Sequence, residues 1–342
     1  MPTTGTPGSE HGLAAPGPVD PTGESGPTRG QVRASGWRRT SRGLYVRSEV
    51  EQSPQQRVLE AGVLLPPVGA VTGWGALCWY GGHWFSGLAG DGISPLPVPV
   101  ASPRRSIRPQ PLLQLCEERF SLRDTKVVDG IRTSSEVRAT AFAMRYAGGL
   151  IEAVVALDMA CFHDLVSIDE VRAWVDGHPS YTGIEQARDA VVLADENAWS
   201  PMEVLMRLDW PGDRPLTNRP LFDLDGRHIG TPDLLDPDAG VIGEYEGALH
   251  LTGMRRASDL RREETFRVHG LEPVTMVAED VREPGHYRER LRSAYARAAR
   301  RPAADRRWTL ERPPFWPATV TVAQRRALDA TARATWLRHR AG

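Results

Sequence analysis

With 342 residues, 40% of them hydrophobic and a formal net charge of -1, the chain is long enough for two domains and a tail, and a sizeable core is affordable. Cys78, Cys116 and Cys161 are odd in number and far apart, which excludes a disulfide framework or a paired-cysteine zinc site and favours a reducing cytoplasm. No charged-then-apolar leader opens the chain, and Pro66-Pro67 and several glycines break its most apolar stretch, Ala61 to Tyr80, so neither a secretory signal nor a membrane span is expected.

Lysine occurs once, at Lys126, so the many arginines reflect composition before any nucleic-acid signature. Charge is nevertheless unevenly spread. Residues 151–250 carry 20 acidic against 6 basic side chains, and residues 251–342 carry 20 basic against 11 acidic. A basic C-terminal third beside an acidic block suits a phosphate-backbone substrate, and solvated helix faces produce the same counts.

In chain order, residues 1–28 are rich in Pro, Gly, Ser and Thr with few apolar anchors, and read as a disordered tail. Gly36 to Val46, GWRRTSRGLYV, predicts two strands around a polar turn, the shape of a wing hairpin, carrying Arg38, Arg39 and Arg42; a plain surface hairpin is the competing reading. Gln55–Leu65 and Val71–Tyr80 predict short helices, with Trp74, Trp79 and Trp84 as core bulk. Extended segments follow at Pro97–Val100 and Lys126–Ile131.

Four capping boxes then mark helix starts: Thr133-x-x-Glu136, Ser167-x-x-Glu170, Thr182-x-x-Glu185 and Ser200-x-x-Glu203. Glu203 is fully explained as the capping glutamate of the last. Asp225-Gly226 predicts a two-residue type I′ turn between strands Leu221–Leu224 and Arg227–Leu235. Asp236-Pro237-Asp238-Ala239-Gly240 predicts the next turn, into a strand over Val241–Glu246, so that a three-stranded meander forms. A charged helix over Met254–His269, closed by Gly270, a strand over Pro273–Val277, an arginine-rich helix over Gly285–Ala299, and a last helix capped by Thr321-x-x-Gln324 complete the chain.

The stretch Ile229 to His250 carries the chemistry. If Asp236 pairs with Val241, Asp233 falls opposite Glu244 with Cβ atoms roughly 5 Å apart, and Glu246 follows on the same face. Like charges so placed are destabilising unless a hard cation with oxygen ligands sits between them, and Mg²⁺ or Mn²⁺ fits; solvated hairpin acids are the alternative.

The order helix, three strands, helix, strand, with TPD on the second strand and E-x-E on the third, resembles the PD-(D/E)xK nuclease fold. The stretches SPMEVLMRLDWP, LFDLDGRHIGTPDLLDPDAGVIGEYEGALH and SDLRREETFRVHGLE are similar to a bacterial family related to very-short-patch repair endonucleases, over roughly residues 30–340, and the front part resembles the winged-helix segment of AbiEi-type antitoxins. The resemblance implies an α+β chain: a winged-helix-like, β-rich region at 29–132, truncated because recognition helices are reduced to Thr28–Ser35, a helical connector at 133–199, a nuclease-like core at 200–282 and a basic helical extension at 283–342. It makes Asp233 and Glu244 the metal-binding acids and Glu203 the acid of the first core helix. Glu246 stands where the fold usually has lysine; it can orient or deprotonate water but cannot supply the lysine's charge. His250 matches the family's histidine and can serve as general acid or base. Arg255, Arg256 and Arg262 are phosphate-contact candidates, with Asp259 pairing Arg255 along the helix. The implied activity is Mg²⁺-dependent hydrolysis of DNA, the alternative a non-catalytic regulator that binds nucleic acid or a partner toxin.

Overall fold

The computed structural model describes residues 12–102, 107–118, 121–246 and 253–340, with backbone only for 253–259 and 303. The chain divides into two units, one running to Ala147 and taking in Glu170–Ala187, the other comprising Gly148–Asp169 and Arg188–Gly342. The structure is of mixed α and β type, and among the described residues no helix is long and apolar enough to cross a membrane.

In the first unit β1 (Gly17–Pro18), β2 (Trp37–Ser41) and β3 (Leu44–Arg47) form a sheet in the order β1-β3-β2. The expected hairpin is thus present as β2 and β3. Part of the segment expected to lack structure supplies its third strand, with Gly17 opposite Tyr45. Local polar bonding contributes to that order, the Asp20 carboxylate accepting the backbone N–H groups of Thr22 at 2.9 Å and Ser25 at 2.8 Å, and Leu13 packs against the core of Leu59 and Ile131.

Next come α1 (Pro54–Gly62), β4 (Ala70–Val71), α2 (Gly73–Trp79), β5 (Val98–Ala101), β6 (Leu113–Cys116), β7 (Thr125–Val128), β8 (Ile131–Ser134) and α3 (Glu136–Arg145). The five strands order as β6-β5-β4-β8-β7, over a core that includes Leu59, Trp79, Val100 and Ile131. Trp84, expected in this core, is exposed. Thr133 does not cap α3: pairing with Lys126 holds it extended in β8, and Ser135 is the N-cap. Three helices follow, α4 (Leu150–Phe162), α5 (Ile168–Gly177) and α6 (Ile184–Leu193).

The second unit continues with α7 (Pro201–Leu208), β9 (Leu216–Thr217), β10 (Leu221–Phe222), β11 (His228–Gly230), β12 (Leu234–Asp236) and β13 (Val241–Glu246). It closes with α8 (Gly253–Val268), β14 (Glu272–Val277), α9 (Pro284–Ala298), α10 (Val322–Arg326) and α11 (Ala330–Trp336). The expected single meander is instead split. Arg227–Leu235 is interrupted at Thr231-Pro232-Asp233, so β10 and β11 form a separate two-stranded sheet, with Phe222 of β10 also bridged to Thr309, and β9 takes the place beside β12. Proline, which has no N–H to give a ladder, accounts for the break. The main sheet has the order β14-β13-β12-β9, antiparallel except for the parallel pair β13 and β14.

Turn chemistry sets these connections. Gly226 alone of its turn has positive φ, at 81°, and Asp223 N–H donates to Arg227 O at 2.9 Å, so the loop has three residues rather than the two of a type I′ turn. In the next turn Asp236 Oδ1 accepts from Asp238 N at 3.0 Å and Ala239 N at 2.9 Å, and Gly240 N donates back to Asp236 O at 2.9 Å. Gly270 ends α8 with φ of 89°; Leu271 N reaches Phe266 O at 3.0 Å across it, and a Cβ there would stand 2.4 Å from Asp305 O.

Strand alternation divides the residues of β12 and β13 between two cores. Leu234 and Val241 face Met206, Trp210 and the α9 residues Tyr287 and Leu291, whereas Leu235 and Ile242 face Phe266 of α8 and Trp308. Across α4 and α7 a buried ion pair joins Asp158 Oδ2 to Arg207 Nη2 at 2.6 Å.

Candidate functional site

The predicted register is present: Asp236 pairs with Val241, Leu235 with Ile242 and Leu234 with Gly243. The paired register ends there, with Glu244 one residue further along β13. Asp233 stands just before β12 rather than within a strand, and its Oδ2 accepts the Tyr245 N–H at 2.7 Å, so the carboxylate takes over a ladder bond. Close approach of Trp210 to β13 requires Gly243, where a Cβ would be 2.7 Å from the indole.

Glu203 performs its capping role and a second one. Ser200 Oγ accepts Glu203 N–H at 3.2 Å and donates to Glu203 Oε1 at 2.9 Å, while Glu203 Oε2 accepts Trp199 N–H at 2.8 Å. The same Oε2 also accepts Asn218 Nδ2 at 2.6 Å, a bond that capping does not call for. Asn218 is held at φ of 47°; its N–H donates to Asp233 O at 2.9 Å and its Nδ2 also donates to Asn197 O at 2.9 Å. One buried asparagine thereby bridges the two acids.

The electrostatics follow from that bridge. Burial, and then the neighbouring Asp233 carboxylate, push the Glu203 pKa up to about 8, against the pull of its three hydrogen-bond donors. Burial likewise raises Asp233, while the Tyr245 N–H and the Arg262 charge pull it down. Two neighbouring carboxyl groups are thus lifted by burial, even though Arg262 acts on Asp233 and Arg340 lies within electrostatic reach of Glu203.

Glu244 is placed differently. Its Oε1 accepts Arg262 Nη2 at 2.8 Å, and the same nitrogen donates to Thr231 O at 2.6 Å. Arg262, expected to contact phosphate, therefore braces the Thr231-Pro232-Asp233 linker against the Glu244 side chain, with 44% of its own side chain exposed. Glu246 is exposed at the end of β13. His250 lies outside the described residues, as do the side chains of Arg255, Arg256 and Asp259. In the first unit Arg38 is committed to Glu60 at 2.6 Å, whereas Arg39 is exposed on β2, its Nε donating to Ser41 O.

Among the described residues no group of three His, Cys, Asp or Glu side chains could hold a metal ion. Glu203 and Asp233 suit a narrower role. Mg²⁺ keeps several waters and is commonly held by one or two carboxylates plus substrate phosphate oxygens, and an oxygen-only pair of neighbouring carboxyl groups matches that donor set.

Beside the acids lies a cleft of about 790 Å³, lined by Asn218, Thr231 and Arg262 together with Trp199, Trp316 and Trp336. His339 stacks on Trp199 with ring centroids 4.0 Å apart, and His228 on Trp316 at 4.7 Å. Burial and then Arg340 lower His339 to about 4, and burial and then Arg262 lower His228, so both rings are neutral at pH 7. Spacing did not signal Asn218 or this aromatic lining; Trp308 to Trp316 reads in sequence only as a proline-broken aromatic loop. No family model, curated protein or solved structure matches the chain.

Proposed function

We propose that the second unit is a divalent-cation-dependent phosphodiesterase module of PD-(D/E)xK type acting on DNA. The observation that carries this reading is the Glu203 and Asp233 pair: two carboxyl groups from different elements, joined through Asn218 and lifted in pKa by burial and proximity, beside an open cleft. The order α7, β9, β12, β13, α8, β14, with β14 parallel to β13, supports it, because the resembled fold carries its acids at these element ends.

Asp233 and Glu203 would hold the ion, which when bound polarises the scissile phosphate and lowers the pKa of a coordinated water. The chain's own groups prepare the setting. Arg262 fixes the linker that presents Asp233 and leaves nearly half of its side chain open to a phosphate. Asn218 orients the Glu203 carboxyl, and the Tyr245 N–H fixes one oxygen of Asp233.

One observation favours the second reading, a nucleic-acid-binding regulator of antitoxin type that does not cleave. Glu244 is already neutralised by Arg262, so one acid of the expected catalytic set is committed elsewhere, while Glu246, exposed at the strand end, supplies no lysine charge.

Incubating the protein with supercoiled plasmid, linear duplex and single strand in Mg²⁺, Mn²⁺ or chelator separates the two. Metal-dependent nicking that Asp233→Asn abolishes is the expected result. Nucleic-acid binding without cleavage under every metal condition favours the regulator.

A further inference from the structure

The cleft beside the acids has a chemistry of its own. Trp199, Trp316 and Trp336 line it, and Trp316 lies 4.8 Å from Trp336 between ring centroids. His228 and His339 add neutral imidazole faces, and Arg262 and Arg338 add positive charge. Asn218 lines it as well. Its Nδ2 is fully used by Asn197 O and Glu203, yet its Oδ1 is buried without a hydrogen-bond partner. A buried carbonyl acceptor left unpaired is costly, and it marks this wall of the cleft as polar beneath its aromatic lining.

We propose that this cleft receives an unstacked nucleobase, so that the second unit takes nucleic acid as a single strand or at an unpaired nucleotide. Indole faces stack any base, and the two arginines, Arg262 and Arg338, hold the flanking phosphates. A cleft filled in this way also positions the strand. The Asn218 N–H is bonded to the Asp233 carbonyl and its Nδ2 to Glu203, so a base on Asn218 brings its backbone to the proposed cleavage acids. An intact duplex keeps its bases stacked and paired, and cannot enter.

The proposal rests on reading this unit as a nucleic-acid module, and a binding assay in chelator keeps it separate from cleavage. Anisotropy of a labelled single-stranded oligonucleotide is compared with that of a duplex and of an abasic strand of equal length and charge, alongside quenching of the protein's tryptophan fluorescence. The full single strand is expected to bind on the order of tenfold tighter than the abasic strand and to quench more strongly. Trp336→Ala removes that advantage and Trp336→Phe, which keeps a stacking face, retains it. Equal affinity for the full and abasic strands, or preference for duplex, overturns the base receptacle even if plasmid is cleaved. Base-dependent binding with no cleavage in any metal leaves the receptacle standing and removes the phosphodiesterase reading.

Discussion

Asn218 Nδ2 donates to Glu203 Oε2 at 2.6 Å, while the Asn218 main-chain N–H donates to the Asp233 carbonyl at 2.9 Å. This residue therefore couples a helix cap, a strand entry and a cleft wall, and substitutions at either acid test all three.

Glu203→Gln separates capping from chemistry, because glutamine still caps but binds metal poorly. Wild-type Glu203, with its pKa raised to about 8, prefers to be protonated in the folded state. Its contribution to stability is fully present below the unfolded carboxyl pKa near ~4.3 and is lost as pH rises through about 8, at about 1.4 kcal/mol per pKa unit before compensation by Asp233. Thermal melts from pH 4 to 9 should show this decline in the wild type and a flatter curve in Glu203→Gln. Parallel curves for both proteins would count against the buried carboxyl.

Asp233→Asn should abolish metal-dependent cleavage and leave the metal-free protein at least as stable, since an asparagine oxygen still accepts the Tyr245 N–H and the repulsion of Glu203 is relieved. At a hundredfold excess of Mg²⁺ over its Kd, mass action should stabilise the wild type by about 2.7 kcal/mol and this variant by much less. Early melting of Asp233→Asn, with no Mg²⁺ shift in either protein, would make the acid a structural hydrogen-bonding group.

Arg262→Ala removes a partly exposed ion pair, so its effect on stability should be small, within about 1 kcal/mol. DNA affinity should fall and its dependence on salt should become shallower, by about one unit of the log–log slope, as one phosphate contact is lost. An unchanged salt slope would confine Arg262 to bracing Thr231 and Glu244.

Arg207→Met leaves Asp158 buried without its partner, and a loss of about 3–5 kcal/mol in denaturant unfolding is expected. Burial already raises Asp158 to about 7, so the variant's aspartate protonates more readily still and its stability deficit should narrow at low pH. Adding Asp158→Leu should restore much of the loss, because an apolar pair replaces a stranded charge. A deficit in the double variant equal to that of Arg207→Met alone would show that packing, not charge, was disrupted.

What the amino-acid order determined by itself is local in physical origin. The Asx turn at Asp236 with the Asp236–Val241 register it sets, the C-terminal glycine Gly270 and the Ser200 cap each depend on residues a few positions apart, where φ preference and side-chain reach decide the outcome. Errors arose where longer-range pairing competed with a local signal: strand pairing with Lys126 took Thr133 from its helix cap, and β9 displaced the Leu221 hairpin from the main sheet.

Only tertiary structure decided the site. Arg262 turns to Glu244 across 18 residues, and His339 and Trp336 reach the cleft wall more than 100 residues beyond Trp199 and Asn218. No spacing rule encodes that convergence, because it depends on how α7, β13 and the C-terminal turns pack. Burial is likewise a property of the packed chain, and it is burial that lifts Glu203 and Asp233 together and leaves Asn218 Oδ1 enclosed without a donor.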